Sequence, residues 1–146
     1  MRFGCAAMIV VALASASFAE ARDATETAAP KIGEIMVMQQ MRHTKLWFAG
    51  QVGNWALADY EIDQLKDGFD EVNQQLGGDT VEKAVGSAVA AVEKSIDAKD
   101  RGAFIRAFDR LTFGCNGCHR TLDHAFIVIG RPVALPYSDQ IFAPHR

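Results

Sequence analysis

Cysteine is scarce in this chain of 146 residues: there are three, at positions 5, 115 and 118. Proline is absent between Pro30 and Pro132, so nothing in that span forbids continuous helix. The one long apolar run, "CAAMIVVALA" near the start, has ten residues, too few to cross the roughly 30 Å hydrocarbon core of a bilayer. Basic residues are in the minority, 15 Lys and Arg against 18 Asp and Glu, which argues against nucleic acid as a partner. No acid/base pair, nucleophile constellation or phosphate-binding loop can be read, so an enzyme is not expected. There is no internal repeat and no low-complexity segment.

What stands at the start reads as an export signal over residues 1–19. Arg2 supplies a short basic beginning, the apolar run follows, and "SASFA" ends on small residues at the spacing a signal peptidase accepts, which places cleavage near Ala19. Cys5 stands at the start of the apolar run and not after it, which argues against a lipoprotein anchor. The expectation is a periplasmic protein with no membrane span in its mature form. Cleavage takes Lys+Arg from 15 to 14 and the net charge from −3 to −4, and leaves Cys115 and Cys118 alone. The remaining charge is uneven. Residues 59–71, "DYEIDQLKDGFDE", hold six acids and one lysine, whereas residues 99–146 hold seven Lys and Arg against four Asp.

Beyond a polar leader (20–30), apolar residues recur at steps of three and four, the spacing of a helix face. Pro30 suits a first helical turn, residues 31–49 follow without a breaker, and "AGQVGN" interrupts at Gly50 and Gly53. Asn54 caps a second helix with the stripe Trp55, Ala58, Ile62, Leu65, Phe69, Val72 and Leu76. "GGD" turns the chain, and Asp79 with Glu82 has capping-box spacing ahead of Val81, Val85, Ala88, Val92 and Ile96. Asp100 caps a fourth helix, whose stripe is Phe104, Phe108, Leu111, Cys115, Cys118, Leu122 and Ala125. Four stripes joined by short turns are hidden only by facing one another, which predicts an all-α, antiparallel up-down-up-down four-helix bundle over 31–126. The last twenty residues, 127–146, contain three prolines and are read as an extended tail.

Both mature cysteines thus sit in a buried stripe, in "CNGCH" (115–119). A disulfide between them would close a tiny loop and add little stability. A thioredoxin-like dithiol needs a βαβ setting that is missing. A zinc site needs four ligands, and His43, His124 and His145 are not paired at ligand spacing. Covalent attachment of haem c needs only the residues present: each cysteine forms a thioether to a former vinyl group, and the adjacent histidine ligates the iron from one face. At about 100° per residue, Cys115, Cys118 and His119 share one arc facing the bundle interior. Export agrees, since c-type haem is attached outside the cytoplasm in bacteria. One covalent haem c on these three residues is the expected cofactor.

Residues 97–126, "DAKDRGAFIRAFDRLTFGCNGCHRTLDHAF", resemble the last helix of cytochrome c′ and its low-spin, methionine-ligated relatives: an AxD turn, an apolar helix, then CxxCH close to the C-terminus. The likeness is specific over those thirty residues and architectural over 31–96. It implies a left-handed four-helix bundle, a single haem c on Cys115 and Cys118, His119 as proximal ligand and, in many members, a homodimer. The chain departs from the family pattern by running twenty residues farther and by carrying "RTLD" where an aromatic-basic pair is common.

In that family a residue of the first helix meets the other haem face. Here Ile32, Ile35, Met36, Gln39, His43, Leu46 and Trp47 share one face, with Met38 and Met41 well away from it. Antiparallel packing brings the start of this helix near His119. His43 ranks ahead of Met36 as sixth ligand, because an imidazole within an apolar face needs a partner. Met41 is the fallback if the helix is rotated, and Arg42 and Lys45 flank His43 where they could meet haem propionates. His124, five residues past His119, falls on another side of the same helix. The expected function is electron transfer, with an acidic redox partner docking at the basic haem end. An open sixth position would instead give a gas-binding haem protein taking NO or CO, and a helical bundle without cofactor is the third reading.

Overall fold

The computed structural model describes residues 29–145. The expected export signal (1–19) and the leader as far as residue 28 lie outside the described residues. Four helices follow in order: α1 (Ile32–Val52), α2 (Trp55–Leu76), α3 (Thr80–Asp97) and α4 (Arg101–Thr121). Among the described residues there is no strand, and no helix is long and apolar enough to cross a membrane. Each helix packs on the next in sequence, while α1 and α4 meet only sparingly, and the result is an antiparallel four-helix bundle.

Local chemistry sets most of the boundaries. Asn54 Oδ1 accepts from the Leu57 amide (3.3 Å) and Asp100 Oδ1 from the Ala103 amide (2.9 Å), so α2 and α4 begin at the residues whose short polar side chains suit an N-cap. At α1 the Glu34 carboxylate reaches back to the Lys31 amide at 3.0 Å. The capping box expected at Asp79 and Glu82 does not form. Asp79 pairs with Lys83 one turn on (2.8 Å), and Asn73 Oδ1 at the end of α2 accepts from the Val81 amide instead (2.9 Å).

The first helix does not stop at Gly50 as its sequence suggests. It continues to Val52 and ends at Gly53, which adopts the left-handed conformation (φ 72°) that favours glycine. Gly50 is buried inside the helix because a Cβ there would collide with the ring of Phe104 on α4. This glycine admits a neighbouring helix; it does not break its own. At the other end of the bundle α4 stops at Thr121, five residues short of the expected boundary. Asp123 takes a positive φ of 61°, and the His124 amide turns back to the His119 carbonyl at 2.7 Å.

The four stripes meet in a core in which Leu46, Ile62, Leu65, Val72, Val92, Phe104, Phe108 and Leu111 are essentially inaccessible. Each side chain of that size contributes about 1.5–3 kcal/mol on burial. Between α1 and α4 the packing is aromatic: Trp47 lies 4.8 Å from Phe108 and 6.5 Å from Phe104 between ring centroids. Glu61 is also buried, and its carboxylate receives the Arg42 guanidinium at 3.2 Å.

Residues 122–145 have no regular secondary structure, as the prolines require, and they run back along the α1–α4 seam. Ile129 pairs with Asn116, and Arg131 makes two contacts with Asp109 (2.8 and 2.6 Å) while its guanidinium lies over the Trp47 ring (5.1 Å). Farther on, the Tyr137 hydroxyl donates to Met41 Sδ (2.8 Å). Phe142 is buried against Phe48, and its carbonyl accepts from Asn54 Nδ2 at 3.0 Å. The tail therefore spans the seam from the end of α4 to the α1–α2 turn and covers the adjacent pair of helices that touch least.

Candidate functional site

One end of the bundle, where α1 and α3 begin and α2 and α4 end, encloses a cavity of about 510 Å³. That is within the range of about 300–1,000 Å³ typical of small-molecule and cofactor sites. Its floor is apolar: Leu65, Phe69 and Val72 from α2, Val81 and Val85 from α3, and Leu111 from α4. Into it face Cys115, Cys118 and His119 from α4, and Met36, Gln39 and His43 from α1. The structure thus brings onto one cavity the five candidate haem-binding residues, Cys115, Cys118, His119, His43 and Met36, with Gln39 beside them.

The cysteines stand three apart on α4, one helical turn, and both thiols are free. Burial, and secondarily the nearby Cys118, pushes the Cys115 thiol up to about 12, and burial raises Cys118 as well. Neither is held as a thiolate, the form a nucleophile or a redox dithiol needs. Among the described residues no group of three or more His, Cys, Asp and Glu side chains gathers at metal-binding spacing.

His119 is oriented by a second contact. Its Nδ1 lies 2.9 Å from the Ile127 carbonyl in the tail, so Nδ1 carries the proton and donates it to that oxygen. Nε2 is then the ring nitrogen left for another partner, and among the described residues it has no hydrogen bond. Fixing one ring nitrogen on a carbonyl so that the other is available is the usual arrangement of a metal-ligating histidine.

His43 is differently placed. Its Nε2 is 2.8 Å from Thr112 Oγ1, and that hydroxyl already donates to the Phe108 carbonyl (2.9 Å), so the imidazole donates to Thr112. The ring also lies 4.3 Å from the Phe108 ring. The partner that the sequence argument sought in an iron is supplied by a threonine. Burial lowers the His43 pKa from 6.5 to about 4, so the ring is neutral at pH 7. The unfolded chain then binds a proton between those two values that the folded chain does not, and stability falls as the pH drops through that window. The loss by its lower end should be about 3 kcal/mol, from the shift and the free energy per pKa unit. Urea unfolding at pH 7 and pH 4.5 tests this, with His43→Gln as the reference in which that part of the pH dependence disappears.

The pairing of His43 with Thr112, and of Trp47 with Phe108, sets the register of α1 against α4. Seven residues before His43 is Met36; seven after Thr112 is His119. Antiparallel helices rise equally, about 1.5 Å per residue, so Met36 stands opposite His119 while His43 lies about 10.5 Å farther along the bundle. Met36 is half-buried on the cavity wall. Met38 is exposed, and Met41 faces the tail, where its sulfur accepts from Tyr137. Arg42 is engaged by Glu61 and Gln64, and the Lys45 ammonium lies over the Tyr137 ring (5.2 Å).

Sequence reasoning missed Thr112, Asn116 and the tail. His124, Ile127 and Ile129 all line the cavity, although α4 has already ended. His124 is off the helix on which its position was reasoned, but its amide is tied to His119, so it shares the wall of that residue. The signal available was the apolar "FIVI" run at 126–129, which a fully solvated tail would not carry. The chain matches no protein-family profile, no curated protein and no solved structure.

Proposed function

We propose that this chain is an exported monohaem c-type cytochrome that passes single electrons. Haem c would be bound through Cys115 and Cys118, with His119 as one axial ligand and Met36 as the other. The observation that carries the reading is the convergence of two thiols, an imidazole with a free Nε2 and a thioether sulfur on one apolar cavity of about 510 Å³. The donor set fits this group: thiols three residues apart for the two former vinyl positions, nitrogen and sulfur for an iron between them. Bound there, the group supplies one-electron chemistry. The protein's own part is to hold His119 by the Ile127 carbonyl, to offer Met36 at the same level, and to keep water from the apolar floor. The export signal read over 1–19 supports a periplasmic setting. Arg106, Arg110 and Arg120 are exposed on α4 and suit an acidic redox partner.

The test is covalency. Protein matured in a host able to attach haem c should keep its colour with the polypeptide through denaturation and extraction with acidified organic solvent. Cys115→Ala with Cys118→Ala should release the colour completely. Colour that leaves the wild-type polypeptide, or a double variant that behaves like it, would sink the reading.

A further inference from the structure

Asn116 is one of the two interior residues of CNGCH, and nothing in the attachment chemistry requires its amide. Both ends of that amide are nevertheless occupied by a single tail residue. Nδ2 donates to the Ile129 carbonyl and Oδ1 accepts from the Ile129 amide, each at 2.8 Å. This is the pairing a neighbouring strand would offer, and it holds the tail backbone in one register. Two residues earlier in the tail is the carbonyl of Ile127, which accepts the Nδ1 proton of His119. The next latch, Arg131 on Asp109, is a half-exposed ion pair, which solvent screens and leaves weak. Upstream, the tail between α4 and Ile129 has the turn bond from the Ile127 amide to the His124 carbonyl (2.9 Å).

We propose that Asn116 is a positioning residue for the axial histidine. By pinning Ile129 it holds the Ile127 carbonyl on Nδ1 of His119, and so sets the tautomer, the ring orientation and the basicity of Nε2. The inference rests on the haem reading. A histidine whose Nδ1 proton is held by a carbonyl is the stronger donor at Nε2 and favours the more highly charged, oxidised iron. Releasing the carbonyl weakens that donor, so the reduction potential moves to more positive values. The interior position of CNGCH that looked like a spacer thus joins the attachment site to the tail.

The experiment uses the full-length, haem-loaded protein in its reduced, diamagnetic state. Asn116→Ala should speed hydrogen exchange at the Ile129 amide about tenfold, the loss of one hydrogen bond's protection. The same variant should shift the potential positively. Asn116→Gln, which offers the same amide on a longer arm, should shift it in the same direction by less, and carries the test if the alanine variant does not fold. Asp109→Asn, which frees Arg131 but leaves Asn116 on Ile129, should leave the potential where it was. Faster exchange at Ile129 with an unchanged potential overturns the proposal. So does an Asp109→Asn shift as large as that of Asn116→Ala, which would mean that loosening the tail anywhere admits solvent. A wild type without covalent haem defeats the earlier reading instead, while the exchange measurement still reports whether Asn116 latches the tail.

Discussion

If haem c is bound as proposed, Met36→Ala should convert its iron from low-spin to high-spin and open it to CO, and His43→Ala should leave the spin state unchanged. The register of α1 against α4 decides between them. His43 with Thr112 and Trp47 with Phe108 show which turns of α1 and α4 face each other, and by the same count Met36 faces His119. His43 sits two turns deeper, with its Nε2 proton given to Thr112 and its ring on Phe108. Drawing it to the iron would cost that hydrogen bond and leave the Thr112 hydroxyl without its donor. The oxidised wild-type spectrum should carry a sulfur-to-iron band at its red end, and the Met36→Ala spectrum should lack it. If His43→Ala is the variant that opens the iron, the register argument fails. A wild type already high-spin and open to CO removes Met36 and His43 together and favours the gas-binding function.

Phe108→Ala should destabilise the haem-free protein by about 3–5 kcal/mol, the range for truncating a buried phenylalanine. The ring is fully buried and lies 4.3 Å from His43, 4.8 Å from Trp47 and 6.0 Å from Phe104, so it is the common neighbour of the aromatic seam. Few other contacts join α1 to α4, and little is available to collapse into the space left. Urea midpoints give the loss, and Phe108→Leu should recover more than half of it by refilling most of the volume. A loss under about 1 kcal/mol for the alanine variant would show that the tail, and not the rings, holds this seam.

What was legible in the sequence is what depends on near neighbours. The helix stripes, the caps at Asn54 and Asp100 and the shared arc of Cys115, Cys118 and His119 follow from spacings of three or four residues, and the structure has them. What was misread depends on distant partners. Gly50 looks like a breaker until Phe104, more than fifty residues away, is seen against it. Asp79 has the spacing of a capping box, but Lys83 and Asn73 compete for the same groups. Thr112, which partners the buried His43 imidazole, lies 69 residues on and could not be foreseen from spacing. The pairing of Asn116 with Ile129 leaves no periodic trace at all, since one member lies outside any helix.

The tail's contacts have a consequence for the order in which the molecule is completed. Asn54 meets Phe142 across 88 residues of sequence, and Met41 meets Tyr137 across 96, so these are among the most distant encounters in the chain. Loops of that length close slowly compared with the hairpins of adjacent helices. The helices therefore assemble first, and the strap docks last. Until it does, the α1–α4 seam stays uncovered, and a group entering the cavity between these helices meets no obstacle from residues 122–145.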